Sequence, residues 1–245
     1  MSADLLPLLT IGMFAIAFLY SSVGHAGASG YIAVLSLFGV AAAIVKPTAL
    51  VLNVLVASIG TWQFYRAGHF SWRLFWPFAL LAVPCAFLGG YVDLPARAFM
   101  FMVGCVLIFS ALRFLVRPSE EHEPRPPSRA AALGAGAGLG LLAGLTGTGG
   151  GIFLTPLLIL MGWATTRTAA AVSVVFILLN SVSGLLGNVI ATGSVPGIAF
   201  PLIGAVLAGG AAGSHLGSHR LPHQVIKRLL AVVLLIAGVK LLFTV

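Results

Sequence analysis

Two short stretches of the sequence gather groups from which an anion site is built: SSVGHAGASG at 21–30 and TGTGGG at 146–151. The first offers the hydroxyls of Ser21, Ser22 and Ser29, the imidazole of His25, and backbone freed by Gly27 and Gly30. The second offers the hydroxyls of Thr146 and Thr148 beside Gly149 and Gly150. Glycine permits backbone conformations that side chains forbid, and so breaks a helix. A helix restarting near Ser29-Gly30, or near Gly149–Gly151, presents free N–H groups and the positive end of its dipole, which together favour an anion. The hydroxyls can donate to an oxyanion without adding fixed charge. Taken singly, such residues also serve simply to let helices approach. As a pair in matching surroundings they point to binding. TGTGGG also approaches a dinucleotide fingerprint, but that reading needs a strand before it and a soluble βαβ unit after it, and the sequence offers neither.

His25 is the one ionisable side chain expected at mid-membrane. Without a carboxylate partner, burial favours its neutral form in an empty site, and an arriving anion reverses that preference. It is therefore the candidate for coupling transport to protons; the alternative is a neutral residue whose hydrogen bonds order the loop. Asn53 and Asn180 occupy matching places in the apolar runs that follow each stretch, and are expected to frame the cavity. Gln63 and Asn188 lie nearer the ends of those runs. Lys46 and Arg167 head the same two runs from opposite faces, either drawing anions to each mouth or anchoring in headgroups. His215, His219 and His223 recur every four residues, as metal ligands on a helix do, but Pro222 interrupts the pattern and an exposed loop is the preferred reading. Cys85 and Cys105 fall in different apolar runs and read as small core residues rather than a disulfide. No metal or cofactor is implied. One histidine, two thiols and several hydroxyls at membrane depth do not make the acid, base and nucleophile set of an enzyme.

The elements that must position these groups are long apolar segments, Leu5–Val45 and Ala130–Trp163, of 41 and 34 residues. A span needs about 20 apolar residues, so each segment is too long for one and too polar in its middle for two ordinary ones. Paired, interrupted segments in two halves of a chain point to a transporter's binding site. Composition agrees: 60% of residues are hydrophobic and 7% charged, against about 25% charged in a soluble domain, so lipid must be the solvent. All five acids (Asp4, Asp93, Glu120, Glu121, Glu123) fall in ends or loops. That argues against cation pumps, antiporters and metal-cation permeases built on buried carboxylates. The net charge of +8 comes from bases scattered over loops, which fits cytoplasmic enrichment of Lys and Arg better than nucleic-acid binding. Asp4 stands where a signal peptide carries positive charge, so the first segment is expected to be retained.

Apolar runs follow near 48–65, 72–92 and 97–116, then a charged, proline-rich linker at 117–129 expected in the cytoplasm, then the second interrupted segment and runs near 168–191, 198–214 and 225–244. The stretches 1–116 and 130–245 thus repeat one plan. Matching residues recur in order: Gly30 and Gly151, Lys46 and Arg167, Pro77 and Pro201, Leu94-Pro95 and Leu221-Pro222. The expected fold is an all-α integral membrane protein of about eight membrane segments in two inverted repeats. Each repeat has a Gly-broken or re-entrant first segment plus three spans. If each interrupted segment returns to its own side or crosses twice, ten Lys and Arg residues share one side and three (Lys46, Arg97, Lys240) the other. A single crossing would split them seven and six. The positive-inside rule selects the first arrangement, with both termini outside.

At SVGHAGASGYIAV (22–34) and GLTGTGGGIFLTPLL (144–158), set in this duplicated plan, the chain resembles the sulfite exporter TauE/SafE family of membrane proteins. The resemblance implies a bacterial inner-membrane permease for small sulfur-containing anions such as sulfite, sulfoacetate or related organosulfonates, by import or export. Together with the residues it predicts a secondary transporter of the plasma membrane, in which backbone amides around Gly27–Gly30 and Thr148–Gly151 hold the anion. Its expected partners are that anion and membrane lipid, with no nucleic acid. Which anion moves, the coupling ion and the oligomeric state stay open. The alternatives are a passive anion channel and a non-transporting membrane subunit.

Overall fold

The computed structural model describes residues 6–38, 40, 42–92, 107–109, 111, 112, 115, 123–193 and 200–243. Among them it has nine named helices: α1 Leu6–Ser22, α2 Ala28–Leu37, α3 Ala42–Arg66, α4 Trp72–Tyr91, α5 Arg129–Thr146, α6 Gly151–Leu160, α7 Thr166–Thr192, α8 Phe200–His219 and α9 His223–Phe243. Backbone groups in lipid have no water to bond, so apolar runs of this length close their hydrogen bonds within helices. Four of them, α3, α4, α5 and α7, are long and apolar enough to cross a membrane. The third run of the first half, near 97–116, lies almost wholly outside the described residues, as do Cys105, Asp4, Asp93, Glu120 and Glu121. Of the linker, residues 123–129 are described; Ser128 caps α5 by accepting from the Ala131 N–H.

Both interrupted segments are broken where glycine permits it. Gly24 and Gly27 separate α1 from α2 with φ of 78° and 98°, and Gly147, Gly149 and Gly150 separate α5 from α6 with φ of 71°, 74° and 80°. The short helices α2 and α6 have 10 residues each, about 15 Å, or half of a hydrocarbon core. Each segment is re-entrant. The Arg125 N–H donates to the Gly162 carbonyl at 2.9 Å, so the chain leaving α6 is back at the end where α5 began. Likewise α2 hands over within a few residues to α3, which starts at the end where α1 starts.

Glycine ladders fix the directions. On α5, Gly136, Gly140 and Gly144 lie against the carbonyls of Phe78, Ala82 and Ala86 on α4, so the two helices run parallel. On α8, Gly209, Gly213 and Gly217 lie against the carbonyls of Phe14, Phe18 and Ser22 on α1, again parallel. Small residues at every fourth position allow such backbone contact in membranes. Helices α3 and α7 run antiparallel, with Asn53 bonded to Ser181 and Gly60 against Val174. The broken helix of each half therefore packs along the fourth helix of the other, and the central pair crosses antiparallel.

One end of the molecule collects Arg66, Arg73, Arg125, Arg129, Arg167, Arg220, Lys227 and Arg228; Lys46 and Lys240 lie on the other side of the centre, Lys46 against Gly147 of the second break and Lys240 reaching the Ser29 carbonyl of the first. Arg97, Arg113 and Arg117 lie outside the described residues. The Arg-rich end bears exposed Trp62, Tyr65, Trp72 and Trp76, with Arg66 over the Trp62 ring at 5.0 Å and Arg129 over Trp76 at 5.8 Å. Aromatic rings and arginine stems of this kind anchor at a membrane interface. Inside, one apolar cluster sets Ile152, Leu154 and Leu158 of α6 against Phe75, Phe78 and Phe176. A second sets Tyr31 and Leu35 of α2 against Leu9, Met13, Leu52 and Val56.

Candidate functional site

The two breaks meet inside the protein. Residues 20–31 and 146–156 are buried throughout. The register of α3 and α7 pairs residue 53 with 181 and residue 60 with 174. The α2 start lies level with Asn53, and Gly151 at the α6 start lies against Ile177 and the Ser173 carbonyl. From these levels α2 runs toward one face and α6 toward the other. Their N-termini thus point at each other across roughly 6–12 Å of depth, counted at 1.5 Å per residue. Two dipoles placed head to head raise the positive potential between them.

Asn53 joins the two breaks. Its Oδ1 accepts from the Ala28 N–H at 3.0 Å, and its Nδ2 donates to the Thr148 carbonyl and to Ser181 Oγ, each at 3.2 Å. His25 makes a second bridge: its Nε2 lies 2.9 Å from the Gly151 carbonyl and 3.0 Å from Thr155 Oγ1. A carbonyl only accepts, so Nε2 carries the hydrogen and Nδ1 is left as an acceptor. Nδ1 is buried with no partner among the described residues.

The hydroxyls divide. Ser22 donates to the Leu19 carbonyl and Thr146 to the Leu142 carbonyl, both within their own helices. Thr148 pairs with Thr146 at 2.8 Å, and Ser29 donates to the Tyr20 hydroxyl at 3.1 Å. Ser21 Oγ alone of the five has no partner among the described residues. Gly27 lies against the Tyr31 ring, and Gly30 is helical and packs against Ile16. Among the described residues, no group accepts from the backbone N–H of Thr148, Gly149, Gly150, Gly151 or Ile152. These are the orphan donors of a helix start. Asn180 is 1% exposed, and neither atom of its amide has a partner among the described residues.

Farther out, Arg167 donates to the Leu221 carbonyl at 3.1 Å, and His69 Nε2 lies 3.2 Å from the Ser218 carbonyl. Burial holds His69 below its ordinary pKa, helped by the charges of Arg167 and His219 and opposed by the Ser218 carbonyl. His215 and His219 lie in the last turns of α8 rather than in the expected loop; they stack at 4.9 Å and are exposed. The described residues contain no group of three metal-ligating side chains. Gln63 ties α3 to α8 through the Ala211 carbonyl and Ser214, and Cys85 is a half-buried free thiol.

The sequence model of the sulfite exporter TauE/SafE family matches residues 8–241. The chain belongs to this family. It is also 40% identical over 240 residues to "Probable membrane transporter protein y4hK" of Sinorhizobium fredii, covering 96% of this chain and 97% of the relative. No solved structure matches it. This TauE/SafE protein is a multi-pass membrane transporter.

The structure of the TauE/SafE chain adds residues that spacing did not single out. Thr155 and Ser181 hold His25 and Asn53, Tyr20 holds Ser29, and Ser173 is buried without a partner among the described residues. Lys240 Nζ donates to the Ser29 carbonyl at 2.8 Å. Ser181 follows Asn180 directly, and Thr155 falls one helical turn after Gly151; both places were open to the sequence. Tyr20 and Lys240 meet the site only through tertiary packing, and Lys240 corrects the expectation that His25 is the one ionisable side chain at this depth.

Proposed function

We propose that this protein is a secondary carrier for small sulfur-containing anions such as sulfite or organosulfonates, with the anion bound between the two breaks. The observation that carries the proposal is the pair of opposed, buried helix starts tied by Asn53, in a membrane interior whose described part holds no carboxylate. Amide donors and inward dipoles select negative charge, and no fixed cation is needed to do so. The family's description supports this class of cargo, and the relative, named as a probable membrane transporter, supports transport. His25 is the proposed coupling group. Its Nε2 stays on the Gly151 carbonyl while Nδ1 takes a proton as the anion arrives. The Arg-rich end is assigned to the cytoplasm, the termini to the outside, and 1–116 and 130–245 to two repeats that rock against each other.

Proteoliposomes test this directly. Uptake should saturate and be accelerated by unlabelled anion on the far side, with sulfite or an organosulfonate preferred over sulfate, acetate and cations. A passive channel gives no counterflow acceleration, and a non-transporting subunit gives no uptake. A clear preference for a cation would end the proposal.

A further inference from the structure

Asn53 and Asn180 each lie in the middle of the long helix that follows a break, yet the protein uses them differently. Asn53 caps α2 from within: its Oδ1 sits on the Ala28 N–H, where an anion's oxygen would otherwise sit. The α6 start has no such cap among the described residues. Five successive N–H groups, Thr148 to Ile152, have no acceptor there, whereas at the first break the N–H groups of Ala26, Gly27, Ser29 and Gly30, free among the described residues, are interrupted by Asn53 at Ala28.

The face of α7 that carries Asn180 is turned to this uncapped start. One turn before Asn180, Phe176 fills the space a β-carbon would need at Gly150, and Ile177 does so at Gly149 and Gly151. Beside it, Ser181 Oγ closes on Gly149, and one turn later Gly184 meets Gly144. Asn180 is buried on this stripe, between Phe176, Ile177 and Ser181, which touch the second break, and Ser183, which donates to the Val83 carbonyl of α4, and its amide has no partner among the described residues. Two turns earlier on the same stripe, Ser173 Oγ is fully buried and equally without a partner among them. A buried amide with neither donor nor acceptor satisfied is costly, and native proteins rarely keep one without a ligand or ordered water to fill it.

We infer that the anion rests on the second break, held by the α6 N-terminal amides with Asn180 Nδ2 as its side-chain donor, while at the first break Asn53 already occupies the Ala28 N–H. This rests on the anion-carrier reading above and deepens it. The two halves share a plan and divide the labour. One half binds, and the other supplies the strut and the His25 imidazole.

The test is a thermal-shift titration of the purified full-length protein with sodium sulfite and sodium sulfoacetate, with sodium chloride as ionic control. Wild type should be stabilised by one of the two sulfur anions. Asn180→Ala should raise the concentration needed at least about tenfold, the scale of one lost hydrogen bond to a charged group. Asn180→Asp places a carboxylate on the α6 amides, so it should melt at or above the wild-type temperature without anion and gain nothing from adding it. Asn180→Ser, smaller and still a donor, should keep part of the response and serves if the other variants fail to fold. If wild type responds and Asn180→Ala and Asn180→Asp respond equally well, the assignment to the second break is wrong while the carrier reading survives. If wild type responds to neither anion, the carrier reading falls and the assignment with it.

Discussion

At the scale of single residues, the site depends on which polar atoms are already satisfied. Residue types and spacing pointed to the two stretches that meet, but treated their hydroxyls as equivalent. Ser22 and Thr146 turn back onto carbonyls of their own helices, as serine and threonine do when no better acceptor is near. Composition carries no sign of that choice. Asn53 was legible as a buried polar residue at a repeated position; its role as a bridge depends on tertiary register, which spacing does not encode. His25 bears the sharpest residue-scale prediction. If Nδ1 takes the coupled proton, His25→Gln keeps a donor for the Gly151 carbonyl but loses the titrating atom. Uptake in proteoliposomes should then persist at a single pH and lose its dependence on an imposed pH gradient. An unchanged gradient dependence in His25→Gln would exclude the coupling role.

At the scale of elements, the ladders on α5 and α8 carry most of the predictive weight. The repeated glycines of AGAGLGLLAG (135–144) and GGAAGSHLG (209–217) are plain in the sequence. Which of them meet a neighbour is not, because alternate glycines on one helix face different ways. Gly140 and Gly213 lie against the Ala82 and Phe18 carbonyls, whereas Gly134 and Gly138 have open space around them. Gly140→Leu or Gly213→Leu should abolish monodisperse protein in detergent, since backbone would have to move. Gly134→Ala and Gly138→Ala should leave the melting temperature unchanged or raise it, by up to about 1 kcal/mol of helix propensity each. The turn after α3 gives a pH prediction. His69 binds a proton less readily in the folded protein than in the unfolded chain, so it favours folding above the ordinary histidine range and loses that contribution as pH falls through its depressed value. Melting temperature should drop as pH falls below the ordinary histidine range, and His69→Gln should flatten the drop. An equal drop in both proteins would remove His69 as the cause.

At the scale of the whole molecule, the broad plan was open to sequence reading because lipid imposes so few solutions. Long uncharged runs must be helices, and broken backbone at depth must be buried or wet. The re-entrant course of both segments was one of two geometries the charge count allowed, and the chain's return to its starting end at Gly162 selects it. Hydropathy alone could not, since a half-membrane helix and a short span have similar composition. The proposed orientation predicts that a tag after Val245 is cut by protease added to spheroplasts, while one inserted in the 117–129 linker is protected. The reverse pattern would invert the proposed orientation.

The tie through Asn53 has a mechanical consequence. A single amide grips the α2 start with its oxygen and the 147–150 turn with its nitrogen. Neither helix start can move away from the centre without pulling on the other, so in the proposed carrier opening to one compartment would close the way to the other. Cutting that tether with Asn53→Ala should uncouple the gates. A fluorescent dye trapped in vesicles should then report inward leakage of small ions through the variant that the intact carrier does not allow.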